Sequence, residues 1–180
     1  MTKKVFENFS KEESFLAKCK AVEKPPERVH TIELFWSAVG SFSGIGMVSF
    51  LTLYFDVPIL VASFGASSVL LYGAIESPLA QPRNAIGGQL VSALTGVLFY
   101  QIWGMEWWTV ALAVALSISL MHLTRTLHPP GGATAIVAVY SGQSWSFVFA
   151  PVLVGMLILV AVAILTNNLA GTRRYPRFWC

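Results

Sequence analysis

The chain has 180 residues, 55% of them hydrophobic and only 12% charged, with a formal net charge of +3. That balance is too apolar for a soluble domain of this length and reads as an integral membrane protein. Seven of the twelve Lys and Arg lie in the first 28 residues and three in the last eight, so the positive charge marks two basic ends and argues against a nucleic-acid surface.

Residues 1–30 form a mixed-charge segment, with Glu7, Glu12, Glu13, Glu23 and Glu27 among its lysines. They lack the apolar core and small-residue cleavage site of a secretory signal, and are read as a cytoplasmic N-terminal segment. Phe6, Phe9 and Leu16 would let residues 4–21 lie at the membrane interface as a helix, and a solvated lead-in ended by Pro25-Pro26 fits the same residues. Cys19 and Cys180 stand alone, without metal-ligand spacing, so neither a metal nor another cofactor is expected.

A transmembrane domain then covers 31–170, ahead of a basic tail, 171–180. Its apolar runs are 32–55, 58–75, 85–103, 107–124, 133–142 and 147–169, set against the ~20 residues that span a bilayer as a helix. The fifth run is about half that length, so it predicts a half-helix, a re-entrant segment, or a span completed by the irregular stretch His128 to Gly132. With six crossings and a cytoplasmic N-terminus, Arg83 and Arg125 fall on the same side as both tails, and the opposite loops contain no Lys or Arg. A four-span alternative would place those two arginines outside, so six crossings satisfy the positive-inside rule better. Trp103, Trp107, Trp108 and Trp145 in the outer loops, with Trp36 and Trp179 at the inner boundary, read as an aromatic belt.

An offset of 67 positions aligns Gly65-Ala66-Ser67-Ser68 with Gly132-Ala133-Thr134-Ala135, the first run with the fourth, and the third with the sixth. The fold class expected is therefore an all-α polytopic membrane bundle, an inverted repeat of three elements each (about 32–103 and 106–169), with short or broken second and fifth segments.

The chemistry concentrates at the breaks. Gly65, Ala66, Ser67 and Ser68, and Gly131, Gly132, Ala133 and Thr134, both resemble helix starts, whose free N–H groups and dipole suit an anion. The same small residues equally allow close helix packing. Arg83 and Asn84 open the third run, where a guanidinium suits capture of a small carboxylate-like or nitrite-like anion; an orientation-setting arginine at headgroup level is the alternative, and Glu76 is a candidate partner in either case. His122, Arg125 and His128 recur every third residue; a histidine so placed is suited to carry a proton in symport, to sense pH, or simply to hydrogen-bond a neighbouring carbonyl, and His128, beside Pro129, is the better functional candidate. Gly40 and Gly44, Gly88, Ser92 and Gly96, and Ala111, Ala115 and Ser119 read as close-contact stripes. No catalytic constellation is present, so an enzyme is not expected.

Leu127-His128-Pro129-Pro130-Gly131-Gly132-Ala133-Thr134-Ala135, together with Phe64-Gly65-Ala66-Ser67-Ser68, Ser77-Pro78-Leu79-Ala80-Gln81-Pro82-Arg83-Asn84 and Gly87-Gly88, closely resembles the HPP family of integral membrane proteins. The resemblance implies transport of nitrite or a similar small anion, as described for some chloroplast members, and points to a bacterial inner (plasma) membrane with both termini cytoplasmic. The family is commonly described with four transmembrane helices, two fewer than the runs counted above. The expected substrate-binding residues are Gly65, Ala66, Ser67, Ser68, Arg83, Asn84, Arg125, His128, Gly131, Gly132, Ala133 and Thr134. The expected partners are the anion, the lipid bilayer and further copies of the chain. A non-transporting membrane scaffold is the rival reading.

Overall fold

A computed structural model describes residues 30–179. The N-terminal segment with its interfacial-helix reading, and both cysteines, lie outside these residues. Six helices and no strand are found among the described residues, and they follow the six apolar runs. Helix α1 is Thr31–Phe55, α2 is Ser63–Ser68 continued by a wider turn, Val69–Gly73, and α3 is Pro82–Trp103. Helix α4 is Trp107–Leu123, α5 is Pro130–Tyr140, and α6 is Val154–Leu169, entered through a wide turn at Val148–Leu153.

Three segments are long and apolar enough to cross a membrane, Thr31–Phe55, Pro82–Trp103 and Val148–Leu169. Helix α4 has 17 residues, just short of a full span, whereas α5 has 11 and α2 with its continuation 6 and 5. At ~1.5 Å per residue, α2 and α5 each reach only about 16 Å, roughly half of a ~30 Å hydrocarbon core.

Packing joins α3 to α5 and α4, α4 to α5, and α1 to α6, with α2 touching α1, α5 and α6. Two of the three small-residue stripes make those contacts. Gly44 on α1 lies so close to the Tyr72 ring that a Cβ there would collide with its hydroxyl, and a Cβ at Gly88 on α3 would stand 2.6 Å from both the His128 Cβ and the Thr126 carbonyl oxygen. The third stripe is a correction: Ala111, Ala115 and Ser119 are exposed, and α4 buries Thr109, Ala113, Ser117 and Met121 instead. Helix α4 is apolar all round with small residues on both faces, so its sequence periodicity selects neither.

All five described arginines gather at one end of the bundle. Arg83 donates to the Thr124 carbonyl at 3.1 Å, Arg177 pairs with Glu76, and Arg173 bonds Glu33 at the start of α1, with Arg125 and Arg174 in the same loops. The opposite loops hold Asp56, Glu106 and the four tryptophans, Trp103 stacking edge-on with Trp108 at 5.9 Å. Sequence reasoning offered Arg83 as a partner for Glu76; the carboxylate is taken by Arg177, because the C-terminal tail folds back over the loop between α2 and α3.

That tail is anchored by Arg173, whose side chain is 3% exposed and uses all five of its N–H donors. Nε donates to Glu33 Oε2 at 2.6 Å, one terminal nitrogen to the Tyr72 carbonyl and Asn167 Oδ1 at 3.0 Å each, and the other to the Glu33 carbonyl and to Ser37 Oγ at 2.9 Å. Further along, the Tyr175 hydroxyl donates to the Ala80 carbonyl at 2.7 Å, and the Arg177 amide to Gln81 Oε1 at 2.8 Å. Burial, with Tyr72 adding to it, pushes the Tyr175 phenol above its ordinary range.

Candidate functional site

The two half-length helices meet through side chains that are buried and uncharged. Ser63 and Ser67 lie one turn apart on α2 and face inward, Gln89 sits two turns into α3, and Thr134 lies on α5. With His128, just before α5, all five are at most 1% exposed. They form one continuous chain of hydrogen bonds.

Its order follows from which atoms can donate. The Leu79 carbonyl accepts only, and His128 Nδ1 lies 2.9 Å from it, so Nδ1 carries the hydrogen. His128 Nε2 stands 2.9 Å from Ser67 Oγ, which also receives a hydrogen bond from Gln89 Nε2 at 3.1 Å. Gln89 Oε1 faces the Thr134 hydroxyl in a short contact, and Thr134 Oγ1 is 2.7 Å from Ser63 Oγ. With a neutral imidazole, one polarity satisfies every group: Ser63 to Thr134, Thr134 to Gln89, Gln89 to Ser67, Ser67 to His128, and His128 to Leu79.

The candidate residues from the sequence therefore divide. Ser67, His128 and Thr134 come together, and Ser67 and Thr134 occupy matched positions of the 67-residue offset. Gln89 and Ser63 are the members that sequence reasoning missed. A glutamine inside an apolar run was a legible signal, because a buried amide requires partners for both of its ends.

The expectation of free helix-start donors is corrected. Helix α2 begins at Ser63, so Gly65 is already inside it and its N–H donates to the Ala62 carbonyl at 3.1 Å. At α5, the Gly131 N–H donates to the His128 carbonyl at 2.9 Å and the Gly132 N–H to the Pro129 carbonyl at 3.1 Å. Tight first turns consume these donors, leaving no row of N–H groups for an anion. Gly65 and Ala66 are exposed on the outside of the bundle, Ser68 donates to the Gly65 carbonyl at 2.7 Å, Gly131 is buried beside Ser92, and Gly132 and Ala133 are half-buried.

Arg83, Asn84 and Arg125 lie at the basic end and complete the loop before α5. Asn84 Nδ2 donates to the Leu127 carbonyl at 2.9 Å, and Arg83 to the Thr124 carbonyl. Arg125 takes φ +56° at the end of α4, where its N–H returns to the His122 carbonyl at 3.2 Å and the Thr126 N–H to that of Met121 at 2.8 Å. That is a Schellman closure, and its left-handed position is usually a glycine. The Arg125 and His122 side chains are exposed.

Two cavities open toward the ends of the bundle, neither lined by a side chain of the cluster. One of about 470 Å³ opens at the tryptophan end and is lined by Thr52, Val61, Ala62, Val137, Gln143 and Ser146, among others. Ala62 adjoins Ser63, and Val137 lies one turn beyond Thr134. The other, about 290 Å³, opens at the basic end between Glu33, Ser37, Glu76, Ser77 and Arg173.

The family of the HPP transmembrane region matches residues 26–176 of the chain. Two transmembrane proteins of Dictyostelium discoideum are 42% identical over 178 residues and 41% identical over 170 residues, covering 92% and 87% of this chain. The chain spans only 57% and 59% of the lengths of those relatives. No solved structure matches it. This chain is a membrane protein that belongs to the HPP transmembrane family.

Proposed function

We propose that the protein carries a small inorganic anion, nitrite being the first candidate, across the membrane through the Ser63–Ser67–Gln89–His128–Thr134 cluster. The observation that supports this reading is the cluster itself: five buried polar side chains, hydrogen-bonded in one chain, where two half-length helices meet. Transporters place their sites at such interrupted helices, where irregular backbone is tolerated because protein or a water-lined path surrounds it. Hydroxyl, amide and imidazole donors suit an anion, and the cavity at the tryptophan end reaches Ala62, the chain neighbour of Ser63.

The inverted repeat belongs to this proposal. Under exchange of the two halves, the α1–α6 contact corresponds to the α4–α3 contact, and α1 against α2 to α4 against α5. The arginine-rich end then faces the cytoplasm by the positive-inside rule, with both termini on that side, in the plasma membrane of a bacterium. Exposed apolar residues over α1 and α4 face lipid or further copies of the chain. One observation favours the scaffold reading: every side chain of the cluster already has a partner, as a purely structural lock would require.

Flux into liposomes containing the purified chain separates the two. Saturable nitrite entry, weaker for chloride and lost in Gln89→Leu protein that still folds, is the expected result. Folded wild-type protein that passes no nitrite, nitrate, formate or chloride would sink the transport reading and leave the scaffold.

A further inference from the structure

The hydrogen bonds around Ser67 have a property that a structural lock does not need. His128 Nδ1 must carry a hydrogen in either charge state, because its partner is a carbonyl. When the imidazole is neutral, Ser67 donates to Nε2. When Nε2 is protonated, it donates to Ser67 Oγ, and the serine hydroxyl turns to the Ser63 carbonyl, already within reach at 3.2 Å. Gln89 Nε2 keeps donating to Ser67 in both states. No heavy atom has to move, so the site accommodates imidazole and imidazolium alike.

What opposes protonation is charge alone. None of the titratable or charged groups on the elements packed against His128 is hydrogen-bonded to it. Tyr72, at the end of α2, donates to the Leu159 carbonyl, and Arg83, on α3, to Thr124. His122 and Arg125, at the end of α4, are exposed, and Tyr100 and Tyr140 lie at the far ends of α3 and α5. Glu76, in the loop before Leu79, pairs with Arg177, and Tyr175 donates to Ala80. A lone imidazolium in this enclosure is strongly disfavoured, and so is a bare anion among neutral hydroxyls. Together they make a neutral pair.

We infer that the site takes up its anion together with one proton on His128 Nε2, so that the protein is a proton–anion symporter; this rests on the transport reading and names its coupling ion. The proton comes from the aqueous phase on the side the anion enters. It adds to the Nε2 lone pair as the Ser67 hydroxyl reverses, and it leaves by the same atom when the anion departs. No bond within the anion is made or broken.

Calorimetry of sodium nitrite binding to the purified chain in detergent, repeated near neutral pH in buffers of different ionisation enthalpy, counts the protons directly. The expected result is about one proton taken up per nitrite bound, with affinity falling about tenfold per pH unit above the imidazole's own titration. His128→Gln, which retains a donor and an acceptor but cannot take on the proton, should bind nitrite much more weakly, and what binding remains should show neither proton uptake nor that pH dependence. Nitrite binding by the wild type with no proton uptake overturns the symport and leaves transport standing, as does uptake that persists unchanged in His128→Gln. Absence of both binding and flux in folded wild type overturns the transport reading and the symport with it. The wild-type proton count needs no variant, so a misfolded His128→Gln does not rescue the idea.

Discussion

Around Arg173 the chain buries a full charge with fixed partners, whereas around His128 it assembles groups that carry no charge but can reverse their hydrogen bonds. The first cluster sits at the basic end, where Glu33 is still 29% exposed and water lowers the cost of an ion pair. The second reaches Gln89, about two turns inside α3, where an ion without a partner would be far more costly. Both are saturated, but with different consequences. Five guanidinium donors facing carboxylate, carbonyl, amide and hydroxyl acceptors have one arrangement, while a serine between an imidazole and a carbonyl has two. A clamp and a responsive centre are thereby built in one small bundle, joined by the loop from Ala74 to Gln81.

Breaking the clamp should produce the largest effect. Arg173→Ala leaves the Glu33 carboxylate with Thr172 alone and the carbonyls of Glu33 and Tyr72 sharing Ser37, and the loss of several charge-assisted hydrogen bonds should cost about 3 kcal/mol. The reading is thermal or denaturant unfolding of the detergent-solubilised chain, with limited proteolysis reporting whether residues 170–179 come loose. Glu33→Gln, which keeps the shape and an acceptor, should cost less. A variant Arg173→Ala as stable as wild type would remove the contrast drawn here, because the tail would then be held by Tyr175 and Arg177 alone.

Pressing on the responsive centre should come next. Gly88→Ala forces a methyl against the His128 Cβ and the Thr126 carbonyl, an overpacking worth about 1–3 kcal/mol. Gly65→Ala meets nothing within 4 Å and should be neutral or stabilising by up to about 1 kcal/mol, the helix-interior gain of alanine over glycine. Equal losses in the two variants would mean that the outer face of α2 is covered by something beyond this chain.

The sequence made the element count legible because each apolar run is bounded by proline, glycine or charge, and α1 to α6 fall where those boundaries lie. It marked Ser67, His128 and Thr134 through the His-Pro-Pro-Gly-Gly break and its partial echo at Gly65. What it hid was direction. Motif residues Gly65 and Ala66 face outward while Gln89, outside every break, faces in, and only the rotation of α2 and α3 about their axes decides that. Arg173 was equally hidden: in sequence it is one of three tail arginines, and its role depends on a chain reversal that brings it 140 positions back to Glu33.

Arg125 tests how far a motif charge should be read as function. Its side chain is exposed, and its backbone occupies the left-handed position that closes α4. Arg125→Gly should therefore stabilise the fold by up to about 1 kcal/mol, the relief of a left-handed conformation outweighing the backbone entropy that glycine adds to the unfolded chain. If the guanidinium also attracts anions at the basic end, nitrite entry from that side should slow in the same variant, most visibly at low ionic strength. Lost stability would instead show that Arg125 holds a neighbour through its side chain.

A comparably small effect belongs to Thr109, in the first turn of α4. Its hydroxyl is the one buried side-chain polar atom among the described residues without a hydrogen-bond partner. In both clusters compared above, a buried polar group is kept because neighbours complete it, so an uncompleted one should be dispensable. Thr109→Val has nearly the same shape and removes the unpaired oxygen, and it should raise stability by about 1 kcal/mol with no change in nitrite flux. A loss of stability would mean that the hydroxyl is satisfied by water entering from the tryptophan end. That end would then be wetter than its exposed indoles suggest, and the contrast between a charged, hydrated end and an apolar one would weaken.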